Sequence, residues 1–234
     1  RTPMLKTFKI TISLISISIL LISCEKKSNK AEEYEKALME SAPKVKITKK
    51  NSNQTEEQVF TNRDRQQIDE NNENDKEILE MPIEDILDIF YNTFIIPINS
   101  EDNSSFDTQV NYKAMHELSM KGDQKFLKLT SALLKKFEDI SSLEDKSDNY
   151  KLTFYLNAYN FYAISLVYKN YKKNDKKLKS IKDIAGTIIN PYKTFKTKYF
   201  TLAGKEKVSL DDIEKGEEDS IKTFNKDNDP RIHF

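Results

Sequence analysis

The sequence predicts an α+β fold, a predominantly α-helical globular domain with a small C-terminal β-hairpin or sheet, preceded by a signal peptide and a disordered tether. Three observations carry this expectation. Apolar residues recur at helical spacing in three segments between Ile83 and Tyr168. Within the folded domain, strand signals are weak and late, in a short stretch around Gly204. The residues before Glu77 divide into an apolar leader and a polar stretch too poor in apolar side chains to build a core. The expected organisation is 1–23 signal peptide, 24–76 tether and 77–234 folded domain.

Lys6 and Lys9 precede an uncharged run from Ile10 to Ser23, in which nine of the first thirteen residues are Ile or Leu. A helix needs about 20 residues to cross a hydrocarbon core of about 30 Å. The run is shorter than that and fits the apolar part of a secretion signal. Its alternation of Ile10, Ile12 and Leu14 with Thr11 and Ser13 leaves a buried strand as the bland alternative. The run ends at Leu21-Ile22-Ser23-Cys24, with the only cysteine directly after a small residue. These four residues resemble a bacterial lipobox in the looser form of spirochaete lipoproteins. The resemblance implies cleavage before Cys24, acylation of its thiol and attachment to a membrane, on the outer-membrane or cell-surface side or the periplasmic face. Two or more acyl chains hold a protein stably where one does not. Met4 is the expected start of translation.

From Glu25 to Lys76 only eleven of 52 residues are apolar or aromatic, too few to offset the entropy of ordering. As flexible coil such a tether reaches an r.m.s. length of ~40 Å. Glu32 to Glu40 could add a short helix through Tyr34, Ala37 and Leu38.

Within the domain, Ile83, Ile86, Leu87, Phe90 and Phe94 mark a first helix, with Pro82 suited to its opening turn and Pro97 closing the segment. Asp123 is placed to cap a second, whose stripe is Phe126, Thr130, Leu133, Phe137 and Ile140. A third spans about Asp148 to Tyr168 and is apolar almost all round, the pattern of a fully buried helix. Lys169 to Lys179 follows as a solvated connection. Tyr199 to Leu202, Gly204 and Lys207-Val208 form the hairpin, and Ser209-Leu210-Asp211-Asp212 a capping box opening a further helix.

Composition excludes several functions. With 38 basic and 38 acidic residues the net charge is zero, which argues against a general nucleic-acid binder. One cysteine and two histidines rule out multi-cysteine metal sites, so no metal or other cofactor is expected. Three stretches place polar groups where packing does not require them. Asn157 and Asn160 lie one turn apart in the apolar helix, so they either tie neighbouring backbone or face a pocket. Asp211, Asp212 and Glu214 gather at a helix start, where acids suit the dipole. Arg231 and His233 flank Ile232 and would share one side of an extended segment.

Together these stretches resemble the bacterial and plant family called domain of unknown function 547. The matching residues are Val110-Asn111-Tyr112, Asn157 to Asn160, Ser209 to Glu214 and Asp229 to Phe234, from roughly Ile83 onward. Lys215 stands where that family commonly has histidine. The resemblance also implies that Ile232 and Phe234 begin a buried strand whose continuation carries a cysteine shortly beyond Phe234, so the domain is expected to be incomplete at its C-terminus. Two functions follow. In the first, the chain is a lipid-anchored envelope protein whose domain binds an unknown protein or small molecule, or serves structurally, with no catalytic residue. In the second, it is a thiol hydrolase or acyl transferase using that further cysteine, with His233, Arg231, Glu214, Asn157 and Asn160 as the candidate site. The first is preferred, because thiol catalysis needs a thiolate beside a base and Cys24 lies across the tether.

Overall fold

The computed structural model describes residues 73–99, 106–173, 176–187, 189–226, 229 and 232. The signal, Cys24 and the tether up to residue 72 lie outside these residues, as do Arg231, His233 and Phe234. Helices α1 (Glu73–Glu80) and α2 (Ile83–Phe94) lead into strands β1 (Ile95–Asn99) and β2 (Phe106–Val110), then α3 (Tyr112–Lys121) and α4 (Gln124–Glu138). After a 3-10 turn at Ile140–Leu143 come α5 (Asp148–Lys169), strands β3 (Lys172–Lys173) and β4 (Lys176–Lys177), and a 3-10 turn at Ile181–Asp183. The described chain continues with α6 (Lys193–Lys196), β5 (Phe200–Leu202), β6 (Lys205–Val208), α7 (Leu210–Lys215) and α8 (Ile221–Phe224). The fold is mostly helical with small antiparallel two-stranded sheets, in agreement with the α+β expectation. These residues group into two compact units, 73–146 with Tyr199–Val208, and Ser147–Lys198 with the residues from Ser209 onward.

In the first unit the expected apolar stripes are buried. Phe94 meets Phe90 and Phe126 at ring-centroid distances of 5.5 Å each, tying α2 to α4. Asp123 caps α4 by accepting the Phe126 amide at 3.0 Å, and the buried Thr130 hydroxyl donates to the Phe126 carbonyl at 3.0 Å. Ile140 departs from the expected stripe and is 57% exposed. The cause is Asp139, whose extended backbone ends α4 and whose carboxylate accepts the Ser141 amide at 2.9 Å, so Ile140 starts a new turn out of register. The hairpin β5–β6 forms as expected, with Gly204 at φ +75° in its turn. That turn docks on the end of α4. Ala203 and Gly204 amides donate to the Phe137 and Glu138 carbonyls at 2.8 and 2.9 Å, serving acceptors that a helix end leaves open.

Three features were not expected. Pro97 does not close the first helix but sits inside β1, opposite Thr108 of the antiparallel partner. The residue before a proline favours extended backbone, and a two-stranded ladder has free edges that tolerate the missing amide. Asn111 then caps α3, accepting the Ala114 amide at 3.1 Å while its own amide donates to the Phe94 carbonyl at 2.8 Å. The motif Val110-Asn111-Tyr112 is thus a strand end, a helix cap and a buried first-turn tyrosine. Helix α3 was missed because few of its residues, Tyr112, Met115 and Leu118 among them, are buried apolar.

Helix α1 crosses the boundary expected between Lys76 and Glu77. Ile78 is buried, and so is the Asp75 carboxylate, which pairs with Lys128 of α4. The charge pair is what sequence periodicity missed, because an aspartate in a polar stretch reads as solvated.

In the second unit α5 is capped by Ser147, whose hydroxyl accepts the Tyr150 amide at 3.3 Å, and every residue from Phe154 to Tyr168 is buried. Lys172-Lys173 and Lys176-Lys177 form a two-residue ladder where a plain solvated connection was expected. Short helices α7 and α8 pack on α5 and on each other.

Removing the buried carboxylate tests the α1 boundary. Asp75→Ala should cost about 1–3 kcal/mol by stranding its partner, whereas Glu80→Ala, on the exposed side of the same helix, should leave the denaturant midpoint unchanged. Equal midpoints for both variants would return residues before Glu77 to the tether.

Candidate functional site

The second unit gathers its polar groups along α5. One helix turn is 3.6 residues, so Tyr155 and Tyr159 share a face, while Asn157 lies about 160° round the axis from Tyr159. The tyrosine face meets α7 and α8. Tyr155 and Phe224 have ring centroids 5.5 Å apart, with the Lys151 ammonium 6.0 Å from the Phe224 ring. Tyr159 lies in the field of Glu214 and Asp211, and Tyr155 in that of Asp219. Burial, reinforced by these acids, pushes both phenols well above the ordinary tyrosine value.

The acids are placed by a capping box. Ser209 accepts the Asp212 amide at 3.1 Å, and the Asp212 carboxylate accepts both the Ser209 amide at 2.8 Å and its hydroxyl at 2.7 Å. This fulfils the expectation for Ser209 to Asp212. Asp212 is thereby used in folding. Asp211 and Glu214, three residues apart, remain on one face with Lys215, whose ammonium is 3.6 Å from Glu214 and 3.9 Å from Asp211. The lysine standing where the family commonly has histidine is therefore an ion-pair partner here. Burial raises the Glu214 carboxyl above the ordinary glutamate value; the Asp211 charge adds to this and Lys215 opposes it. A carboxyl that retains its proton to higher pH can donate a hydrogen bond where exposed carboxylates only accept.

Gly216 ends α7 in tight quarters. A Cβ there would lie 2.6 Å from the Asp212 carbonyl, so only glycine fits this approach without a shift. Its own carbonyl accepts the Ser220 hydroxyl at 2.8 Å, and Ser220 with Thr223 forms the capping box of α8. Beyond α8, the Asn225 side chain accepts the Asp229 amide at 2.9 Å.

The candidates singled out in the sequence separate accordingly. Asn157 and Asn160 are both buried, on a side of α5 different from the one Glu214 approaches. Among the described residues, Asn160 Oδ1 and Ser165 Oγ are buried without a hydrogen-bond partner. Such orphans are uncommon and call for a water or a ligand group. Arg231 and His233 lie outside the described residues. Between them Ile232 is buried, as expected, and its amide donates to the Asp229 carbonyl at 3.0 Å. The strand expected to begin at Ile232 and Phe234 otherwise falls outside the described residues. Tyr155, Tyr159 and Asp219 were passed over as site residues, although the i, i+4 spacing of the two tyrosines was available as a signal.

Among the described residues no group of three or more His, Cys, Asp and Glu side chains is placed to hold a metal ion. The second unit is built on one buried helix whose buried tyrosines lie in the field of acids on and beyond α7. Residues 143–234 match a family model described as protein of unknown function, DUF547. The match includes Asn157 to Asn160, Ser209 to Glu214 and Asp229 to Phe234, and starts after Val110-Asn111-Tyr112, later than the resemblance from Ile83 suggested. No curated protein and no solved structure matches the chain.

Two predictions follow from this geometry. With its folded value raised, Glu214 holds more protons in the folded than in the unfolded state, so it favours folding below the unfolded value and loses that contribution as pH rises through the folded one. Glu214→Gln should therefore flatten the decline in stability on the alkaline side of the ordinary glutamate range. Unfolding midpoints measured across that range should diverge between parent and variant, and parallel curves would refute the raised value. Separately, Asn160→Leu removes an unpartnered buried oxygen and should be neutral or stabilising by up to about 1–3 kcal/mol. A lower denaturant midpoint in the variant would show that the oxygen is bonded in solution.

Proposed function

We propose that this chain is an exported bacterial lipoprotein, held to a membrane through acylated Cys24, whose folded part acts as a binding or structural module. The observation that carries the anchor is the order of basic residues, apolar run, Ser23 and lone Cys24. Among the described residues no helix is long and apolar enough to cross a membrane, so attachment in this reading falls to the lipid.

A binding role for the domain is supported by the Glu214 carboxyl, which burial holds above the ordinary glutamate value, with Asp211 adding negative charge and the buried Tyr159 phenol lying in the field of both. Groups of that kind orient a donor or cationic group of a ligand and need no nucleophile. The thiol hydrolase reading requires a cysteine beside His233. At Lys215, where the resembled family commonly has histidine, this chain carries an ion-pair partner of Glu214 and Asp211 in place of a base-orienting group, so the binding reading is preferred.

Metabolic labelling with palmitate tests the anchor. The parent should carry label and Cys24→Ala none, since no other thiol is present to accept it. Equal labelling of the two would overturn the lipoprotein reading.

A further inference from the structure

The chain is neutral as a whole, yet one segment is strongly basic. Residues 169–198 contain ten lysines against Asp175 and Asp183, a surplus of eight positive charges. Of these lysines, Lys179, Lys182, Lys193, Lys196 and Lys198 are exposed. Among them stands a loop that holds apolar side chains out in solvent. Ile189 is 96% exposed and Tyr192 54%.

The loop is tied at its base. The fully buried Thr194 hydroxyl accepts the Ala185 amide at 3.1 Å and donates to the Lys182 carbonyl at 3.3 Å. Gly186 closes against this base, where a Cβ would fall 2.1 Å from the Lys182 carbonyl oxygen and 2.9 Å from that of Pro191. Further out, the Thr187 amide donates to the Asn190 carbonyl at 3.1 Å, and the Thr187 hydroxyl accepts the Asn190 amide at 3.0 Å. That clasp ties Thr187 to Asn190, and Ile189 beside it stands out in solvent. Beside it the Lys182 ammonium sits 4.4 Å from the centre of the Tyr192 ring. A braced turn presenting an isoleucine, a tyrosine and flanking lysines matches the demands of a lipid interface. Apolar side chains enter the acyl boundary, tyrosine sits at headgroup level, and lysines meet anionic headgroups. A nucleic acid would use the same charge but gives no place to an aliphatic tip.

We propose that the 182–198 loop docks the domain on an anionic phospholipid surface, with Ile189 inserted and Lys193 and Lys196 on the headgroups. This contact is independent of the anchor at Cys24. The test uses the full chain carrying Cys24→Ser and Ile189→Cys, with a polarity-sensitive fluorophore on the new thiol. The apolar run Ile10 to Ser23 will attach the chain to any vesicle, but the probe reports only on the loop. Emission should shift to the blue on vesicles of phosphatidylglycerol and phosphatidylcholine. It should stay unchanged on phosphatidylcholine alone and on heparin. Adding Lys193→Glu and Lys196→Glu should reduce the shift at least twofold. An unshifted probe on sedimented anionic vesicles would overturn the proposal, as would an equal shift on neutral vesicles. A shift on heparin would mark a general polyanion site instead and overturn the lipid assignment.

Discussion

Burial of α5 along its whole middle, from Phe154 to Tyr168, is the constraint on which the second unit depends. A helix with no solvent face has no free place for a polar side chain, so each polar group must find a partner in a neighbouring element or remain an orphan. The tyrosine face shows the first outcome. Tyr155 packs its ring on Phe224, and Tyr159 lies within the field of Asp211 and Glu214. Asn160 and Ser165 show the second. Burial also sets the electrostatics, since the same desolvation raises both the phenols and the Glu214 carboxyl above their ordinary values.

The elements that bring acids to α5 are too short to be helices by themselves, at six residues for α7 and four for α8. Nucleating so few residues is unfavourable in isolation. Each is opened by a capping box in which a serine bonds the third helical residue and is bonded in return, and Gly216 begins the short connection between the two. The same device, Ser180 with Asp183, opens the 3-10 turn beneath the lysine-rich loop. Local caps and burial against α5 together hold what neither would hold alone.

Helices with a regular apolar stripe could be read from sequence because burial imposes a period that few other causes produce. The α5 boundaries, the Asp123 cap, the Ser209 box and the Gly204 hairpin all follow from local rules. What escaped depends on contacts far apart in sequence. Asp75 is buried only because Lys128 reaches it, and Pro97 lies in a strand only because Thr108 pairs opposite. Of the site, the residue types were visible but their grouping was not. Asn157 and Glu214 both stand out in sequence, yet helix geometry turns them to different sides of α5, and Tyr159 takes the place beside the acid. Residues beyond the Lys169–Lys179 connection gave no pattern in the sequence, since only the fold reveals that Ile189 is held outward.

If burial of α5 organises this unit, its amides must be the last to open, since exchange there requires disrupting the packing of the unit rather than a local fluctuation. Native-state hydrogen exchange followed residue by residue measures this directly. The account predicts the slowest exchange at Phe154 to Tyr168, with α7 and α8 opening earlier and the Thr187–Asn190 turn earlier still. Amides of Phe154 to Tyr168 exchanging as fast as those of α6 or β6 would contradict it.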